Sequence, residues 1–143
     1  MANPERWKRF ADLPEDLGAR LGHLPALFEK RGVLLAYLFG SLAADDPSPG
    51  DVDLAVLTAV EPAHTFRADL QRALGTQRLD LVDLRTASPL LRFHVVRDGR
   101  LLYARDDETL NRFELDTLHL YRDTAPLRRR HREILRERMD AWS

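Results

Sequence analysis

Two aspartates one residue apart stand inside an apolar segment of this sequence, and their spacing suits the binding of a metal ion. Asp51 and Asp53 belong to the run DVDLAVL (51–57), which alternates as a strand does, so both carboxylates point to the same face. Two like charges so close repel each other and raise a pKa unless a cation neutralises them. Because carboxylate oxygens are the ligands that Mg²⁺ prefers, the pair predicts a magnesium site on this strand.

A third carboxylate is available on the later run RLDLVDL (78–84). This run contains Asp80 and Asp83, which lie on opposite faces of a strand, so at most one of them can join the pair. Asp80 is nearer the start of the strand. Three carboxylates on neighbouring strands can hold two metal ions about 3.5–4 Å apart, an arrangement that stabilises both oxygens of a phosphoryl displacement. In that scheme Asp51 and Asp53 bind both ions, and the third acid binds the ion that activates the attacking hydroxyl and takes its proton.

A Gly-Ser pair precedes the two aspartates. Gly40 and Ser41 follow the apolar run VLLAYLF (33–39), and nine residues separate Ser41 from Asp51. Glycine lets the backbone approach a ligand closely, and Ser41 is predicted to cap a short helix whose free N–H groups attract phosphate. Gly40 and Ser41 are therefore candidate nucleotide-binding residues. The simpler alternatives are that they form only a strand-to-helix turn, and that Asp51 is only a turn residue after Pro-Gly.

The remaining sequence supplies the elements that must position these residues. The link between the first two strands is short, which favours antiparallel pairing, and the next helix permits a crossover to the third strand. We expect an α+β fold, a small mixed sheet with helices on one face, formed by a single domain over 1–143 with a core at about 33–104 and a C-terminal helical segment at about 107–141. Predicted helices are 12–32 (broken), 61–75, 88–99, 107–124 and 126–142, and predicted strands are 33–39, 51–57, 78–84 and 100–104.

Composition and charge exclude several classes of protein. The chain has 143 residues, the size of one domain, and no Cys, which excludes disulfides, thiolate zinc sites and Cys nucleophiles. Its net charge of −1 gives no overall field that recruits nucleic acid or anionic lipid. No apolar run approaches the roughly 18 residues of a membrane span, and the N-terminal sequence lacks a signal-peptide core. We therefore expect a cytoplasmic protein with no membrane segment and no direct nucleic-acid contact.

The order of these motifs resembles the hallmark of the polymerase β-type nucleotidyltransferase superfamily. That hallmark is Gly-Ser, a short spacer, Asp-x-Asp and a third Asp on a later strand. In this sequence the matching residues are Gly40, Ser41, Asp51, Asp53 and, when RLDLV is aligned, Asp80. The resemblance covers roughly residues 33 to 84, and the small size of the chain resembles the minimal nucleotidyltransferases.

A wider resemblance extends over most of residues 33 to 130. The segments LDLVDLRTASPLLRFHVVRDGRLLYARD and RFELDTLHLYRDTAPLRR are similar to the antitoxin nucleotidyltransferases that are encoded beside HEPN-domain toxins. This resemblance implies Mg²⁺-dependent transfer of AMP from ATP to a hydroxyl, in this subgroup a tyrosine of the partner toxin, which silences the RNase activity of the toxin. It also implies two Mg²⁺ ions, ATP as substrate, a HEPN-domain toxin as partner and a hetero-oligomer with that partner.

The sequence departs from the family pattern in the loop before Asp51. Ala43, Ala44, Asp45 and Asp46 stand where many members carry a basic residue and a glycine. Two acids beside a triphosphate would weaken nucleotide binding unless they point away from it.

Two other functions compete with the enzyme. One is a non-catalytic antitoxin that neutralises its toxin by association, and the other is a nucleotidyltransferase that acts on a small molecule. The intact pair of Asp51 and Asp53 favours the enzyme, because a pure binder has no reason to keep two buried like charges. The short chain, without a visible substrate domain, argues against a small-molecule acceptor.

Overall fold

The computed structural model describes residues 12–44 and 50–142, and every structural statement below refers to this part of the chain. Each strand begins and ends within one residue of its predicted position, whereas the helix predicted over 61–75 forms only over 66–74. The elements in chain order are α1 (Leu17–Lys30), β1 (Val33–Phe39), α2 (Gly40–Ala43), β2 (Val52–Thr58), α3 (Phe66–Leu74), β3 (Leu79–Asp83), α4 (Pro89–Asp98), β4 (Arg100–Ala104), α5 (Asp107–Asp123) and α6 (Ala125–Trp142).

The four strands form one mixed sheet in the order β3-β2-β1-β4. β1 pairs antiparallel with both β2 and β4, as the short β1–β2 link predicts, and β4 forms one edge of the sheet. β2 pairs parallel with β3, and α3 supplies the crossover between them. The parallel register places Asp53 directly opposite Asp80. The predicted mixed α+β fold is therefore confirmed.

One face of the sheet is covered by α1 and α3. Leu24 and Phe28 of α1 and Leu70 of α3 are completely buried against apolar residues of the strands. The prediction of a broken first helix is wrong, because α1 runs without interruption from Leu17 to Lys30 with Pro25 inside it. Proline removes one backbone hydrogen bond from a helix, and burial of Leu24 and Phe28 offsets that loss.

The opposite face is covered by α4 and α5, so the prediction of helices on one face is wrong. Val95 of α4 and Phe113 of α5 pack with Leu35 and Tyr37 of β1 in a second apolar cluster. The Tyr37 hydroxyl donates a hydrogen bond of 2.8 Å to the Glu114 carboxylate of α5. Because β1 is apolar on both faces, each face needs a covering layer, and the C-terminal helices supply the second one.

The last helix, α6, contributes little to this core. No residue of α6 that the structure describes is buried, and its apolar side chains remain largely in solvent. At its start the Arg128 guanidinium lies 3.7 Å from the centre of the Tyr121 ring, which in turn stacks on Phe93 of α4. Among the described helices, α6 included, we find none with both the length and the hydropathy to cross a bilayer.

Candidate active site

Three carboxylates meet at the end of the sheet where β2 and β3 begin. Asp53 lies in β2 beside Asp80 of β3, and Asp51 stands immediately before β2. Each of the three side chains offers an oxygen, and these oxygens all lie within 4.8 Å of one another. Asp51 and Asp53 are only 2% and 5% exposed, while Asp80 is half-buried. The structure thus brings together the three acids that the sequence singled out.

The negative charges of this cluster favour the binding of a cation. Burial, together with the negative charges of Asp51 and Asp80, raises the pKa of the Asp53 carboxyl from 3.8 to about 7. Desolvation and like charges both disfavour the ionised form, and a bound dication would reverse both effects. The donors are all carboxylate oxygens, which match a hard cation such as Mg²⁺.

Asp83, the alternative third acid, is held elsewhere. It lies opposite Val56 in the parallel register, three residues beyond Asp80 and therefore on the other face of β3. Its carboxylate accepts hydrogen bonds from the backbone N–H of Arg85 at 2.9 Å and from the Arg85 guanidinium at 3.0 Å. The geometry therefore brings Asp80, and not Asp83, to the aspartate pair.

Gly40 lies with its backbone directly against Asp53. Its φ of +74° is in the left-handed region that favours glycine. A Cβ at this position would overlap the Asp53 Oδ2 atom and lie 3.0 Å from Asp53 Cγ. The group that the Gly40 backbone approaches in the structure is the Asp53 carboxylate, and its approach to a ligand stays a prediction.

Ser41 follows Gly40 and has a buried hydroxyl. Its Oγ makes no hydrogen bond to any residue in 12–44 or 50–142. The prediction that Ser41 caps a helix is wrong: α2 is a single turn that begins at Gly40, and Phe39 occupies the N-cap position. The left-handed conformation of Gly40 turns the chain out of β1 directly into this turn. Asp45 and Asp46, the acidic departure from the family pattern, lie outside the described residues.

Arg78 is a neighbour of the site that the sequence interpretation passed over. Its guanidinium Nη1 donates a hydrogen bond of 3.2 Å to the carbonyl of Gly50, the residue before Asp51. The signal in the sequence is an arginine immediately before an apolar strand, two residues ahead of Asp80.

An α+β fold whose mixed sheet carries three converging carboxylates and a Gly-Ser turn fits the class of phosphoryl-transfer proteins. Within that class, residues 23–108 match the family described as polymerase beta nucleotidyltransferase. The chain belongs to this nucleotidyltransferase family, as the motif order predicted.

Individual relatives narrow the comparison. The chain is 37% identical over 93 residues to the protein adenylyltransferase MntA of Shewanella oneidensis, in an alignment that covers 61% of this chain and 65% of that protein. The matched region thus spans slightly less than two thirds of the length of the curated relative.

Solved structures match over a larger share. One is the tri-AMPylated HEPN toxin of Shewanella oneidensis in complex with its MNT antitoxin, matched with a TM-score of 0.65 and 28% identity over 86% of this chain and 98% of the matched chain. Another is a toxin–antitoxin crystal structure with AMP-PNP, with a TM-score of 0.63 and 28% identity over 89% and 99% of the two chains. The resemblance to antitoxin nucleotidyltransferases paired with HEPN toxins is confirmed.

Proposed function

We propose that this chain is a protein adenylyltransferase antitoxin, which transfers AMP from ATP to a tyrosine hydroxyl of a HEPN-domain toxin and thereby silences the toxin. The observation that carries the proposal is the meeting of Asp51, Asp53 and Asp80 within 4.8 Å in a nucleotidyltransferase fold. The similarity to an antitoxin in complex with a tri-AMPylated toxin supports the choice of reaction and partner. The similarity to a complex with AMP-PNP supports ATP as the nucleotide.

Asp51, Asp53 and Asp80 would hold two Mg²⁺ ions, since all three supply carboxylate oxygens from one small region. When bound, the ions supply the positive charge that offsets the triphosphate and the developing negative charge of the reaction. Asp80 is the most exposed of the three, and we assign to it the acceptance of the proton of the attacking hydroxyl. We assign to the Ser41 hydroxyl, which is buried and without a partner among the described residues, a hydrogen bond to a phosphate oxygen.

The bonds of the reaction balance without another reactant. The tyrosine oxygen forms a bond to the α-phosphorus of ATP, the bond from that phosphorus to the bridging oxygen breaks, and pyrophosphate leaves. The hydroxyl proton passes to the Asp80 carboxylate and from there to solvent. Because the substrate is ATP and the partner is a toxin that acts on RNA, we place the reaction in the cytoplasm, in a hetero-oligomer of the two proteins. We also propose that residues 1–143 act as one domain.

Labelling of the partner by ATP tests the proposal. The full chain is incubated with Mg²⁺, ATP labelled at the α-phosphate and the HEPN-type protein encoded by the adjacent gene. We expect label on the partner with wild type, none with Asp53→Asn, and wild-type labelling with Asp83→Asn, because Asp83 lies on the other face of β3. Absence of label with wild type, under conditions where the two proteins associate, would overturn the proposed reaction.

The same samples separate the two alternatives. If the protein is a non-catalytic antitoxin, the wild type and the Asp53→Asn variant would protect RNA from the toxin equally well. Neither would put label on the partner. A small-molecule nucleotidyltransferase would release pyrophosphate only when a low-molecular-weight hydroxyl compound is added. We expect neither result, since the buried carboxylates have no role in association alone.

A further inference from the structure

The segment that carries Asp51 is held on both sides by one residue. The Gly50 carbonyl, before Asp51, accepts a hydrogen bond of 3.2 Å from the Arg78 guanidinium. The Val52 N–H, after Asp51, donates a hydrogen bond of 2.8 Å to the backbone carbonyl of Arg78. Both peptide groups next to Asp51 are therefore tied to a single residue at the start of the neighbouring strand.

Arg78 is itself fixed by the fold. Its backbone N–H donates a hydrogen bond of 3.0 Å to the hydroxyl of Thr76, a buried residue that follows the end of α3. Its side chain is only 14% exposed and makes a second contact, at 3.4 Å, with the carboxylate of the fully exposed Asp12. An arginine with most of its surface buried and several donors engaged loses little further freedom when it holds a carbonyl.

Asp51 lies beside two other carboxylates and outside the regular part of β2. Its carboxylate oxygen lies within 4.8 Å of those of Asp53 and Asp80, and the like charges repel each other whenever these groups are ionised. It stands outside the ladder of β2, which begins at Val52, and it follows Gly50, the residue type with the greatest backbone freedom.

We propose that Arg78 is a positioning residue that holds the Gly50–Val52 backbone so that the Asp51 carboxylate stays in the metal-binding cluster. This inference rests on the proposed function, because it assumes that the cluster holds metal ions. Arg78 acts through Asp51 and does not bind the metal or the nucleotide itself.

Two effects of Arg78 on a metal ion have opposite signs, which makes the inference testable. The positive charge of the guanidinium, taken alone, repels a dication, so its removal would strengthen metal binding. The hydrogen bonds of Arg78 orient a ligand, and removal of an outer partner of this kind weakens metal binding about 10- to 100-fold. A positioning role therefore predicts weaker binding after loss of the side chain, against the direction of the charge effect.

The experiment measures Mn²⁺ binding to the full chain without nucleotide or partner, by electron paramagnetic resonance or calorimetry. We expect Arg78→Ala to bind Mn²⁺ at least about 10-fold more weakly than wild type, and Arg78→Lys, which keeps the charge and one donor, to recover part of that loss. Arg92→Ala is the matched control, because Arg92 also donates to a backbone carbonyl, that of Arg85 at 2.9 Å, but on α4. We expect this control to bind Mn²⁺ as wild type does.

Folding is checked on each variant by its thermal unfolding temperature. A folded Arg78→Ala protein with unchanged or tighter Mn²⁺ binding would overturn the inference, and so would equally weak binding by Arg92→Ala.

The Asp53→Asn variant distinguishes failure of this inference from failure of the proposed function. If Asp53→Asn loses Mn²⁺ binding while Arg78→Ala keeps it, only the role of Arg78 is wrong. If wild type binds no Mn²⁺, both the metal site and the role of Arg78 are wrong. If Arg78→Ala does not fold, Arg78→Lys decides: Mn²⁺ binding weaker than that of wild type supports the inference, and wild-type or tighter binding overturns it.

Discussion

The contact between Gly40 and Asp53 predicts a specific effect of one added methyl group. In Gly40→Ala the new Cβ would overlap Asp53 Oδ2, and the rest of the carboxylate, with Cγ at 3.0 Å, would have to move with that oxygen. The end of a side chain moves more easily than a backbone, so we expect Asp53 to rotate away while the fold persists. The change therefore acts mainly on the carboxylate cluster.

The effect on stability follows from the backbone. Gly40 has a φ of +74°, and the left-handed conformation costs a residue with a Cβ about 1–2 kcal/mol. Alanine also reduces the freedom of the unfolded chain, which offsets about 0.4–1 kcal/mol. The net loss is roughly 1 kcal/mol, or a decrease of about 2–5 °C in the unfolding temperature for a chain of this size.

Gly32→Ala is the matched control for this strain. Gly32 has nearly the same φ, +71°, but no described atom lies within 4 Å of the position of its Cβ. Both variants should lose a similar amount of stability in thermal unfolding. Only Gly40→Ala should also lose Mn²⁺ affinity, by at least about 10-fold, because a ligand is displaced. Equal Mn²⁺ affinities of the two variants would refute the claim that the Gly40 backbone sets the position of Asp53.

Three further predictions concern acidity and packing. Without metal, the Asp53 pKa of about 7 means that the folded chain retains a proton that the unfolded chain releases, so stability falls as pH rises from about 4 to 7. With a chelator present, the free energy of unfolding measured in urea should show this fall for wild type but not for Asp53→Asn. Identical dependence of the two free energies on pH would contradict the prediction. Leu24→Ala, at a fully buried position of α1, should cost about 2–5 kcal/mol, whereas Leu135→Ala, 43% exposed on α6, should cost less than about 0.5 kcal/mol in the same assay. Tyr37→Phe should lower the free energy of unfolding by roughly 1–2 kcal/mol, because the Glu114 carboxylate loses its hydrogen-bond donor. It should leave labelling of the partner unchanged, and a loss of labelling in folded protein would indicate that α5 affects the site.

Much of the candidate site could be predicted because its signals are local. Alternation along a strand places Asp51 and Asp53 on one face whatever the sheet around them, and a glycine after a continuous apolar run marks a sharp turn. The order of elements follows from the same short-range periodicity. These features depend on the backbone geometry of a few consecutive residues, so the amino-acid sequence by itself determines them.

Other features depend on contacts between distant segments. The parallel register that sets Asp80, rather than Asp83, opposite Asp53 results from how β2 and β3 pair across the α3 crossover. The cover of α4 and α5 on the second face, and the continuity of α1 through Pro25, result from burial against the finished sheet. The contact of Gly40 with Asp53 and the hydrogen bond from Arg78 to the Gly50 carbonyl join segments that are distant in the sequence. Only the tertiary structure decides these features, because their free energies arise from surfaces and charges that meet after the chain has folded.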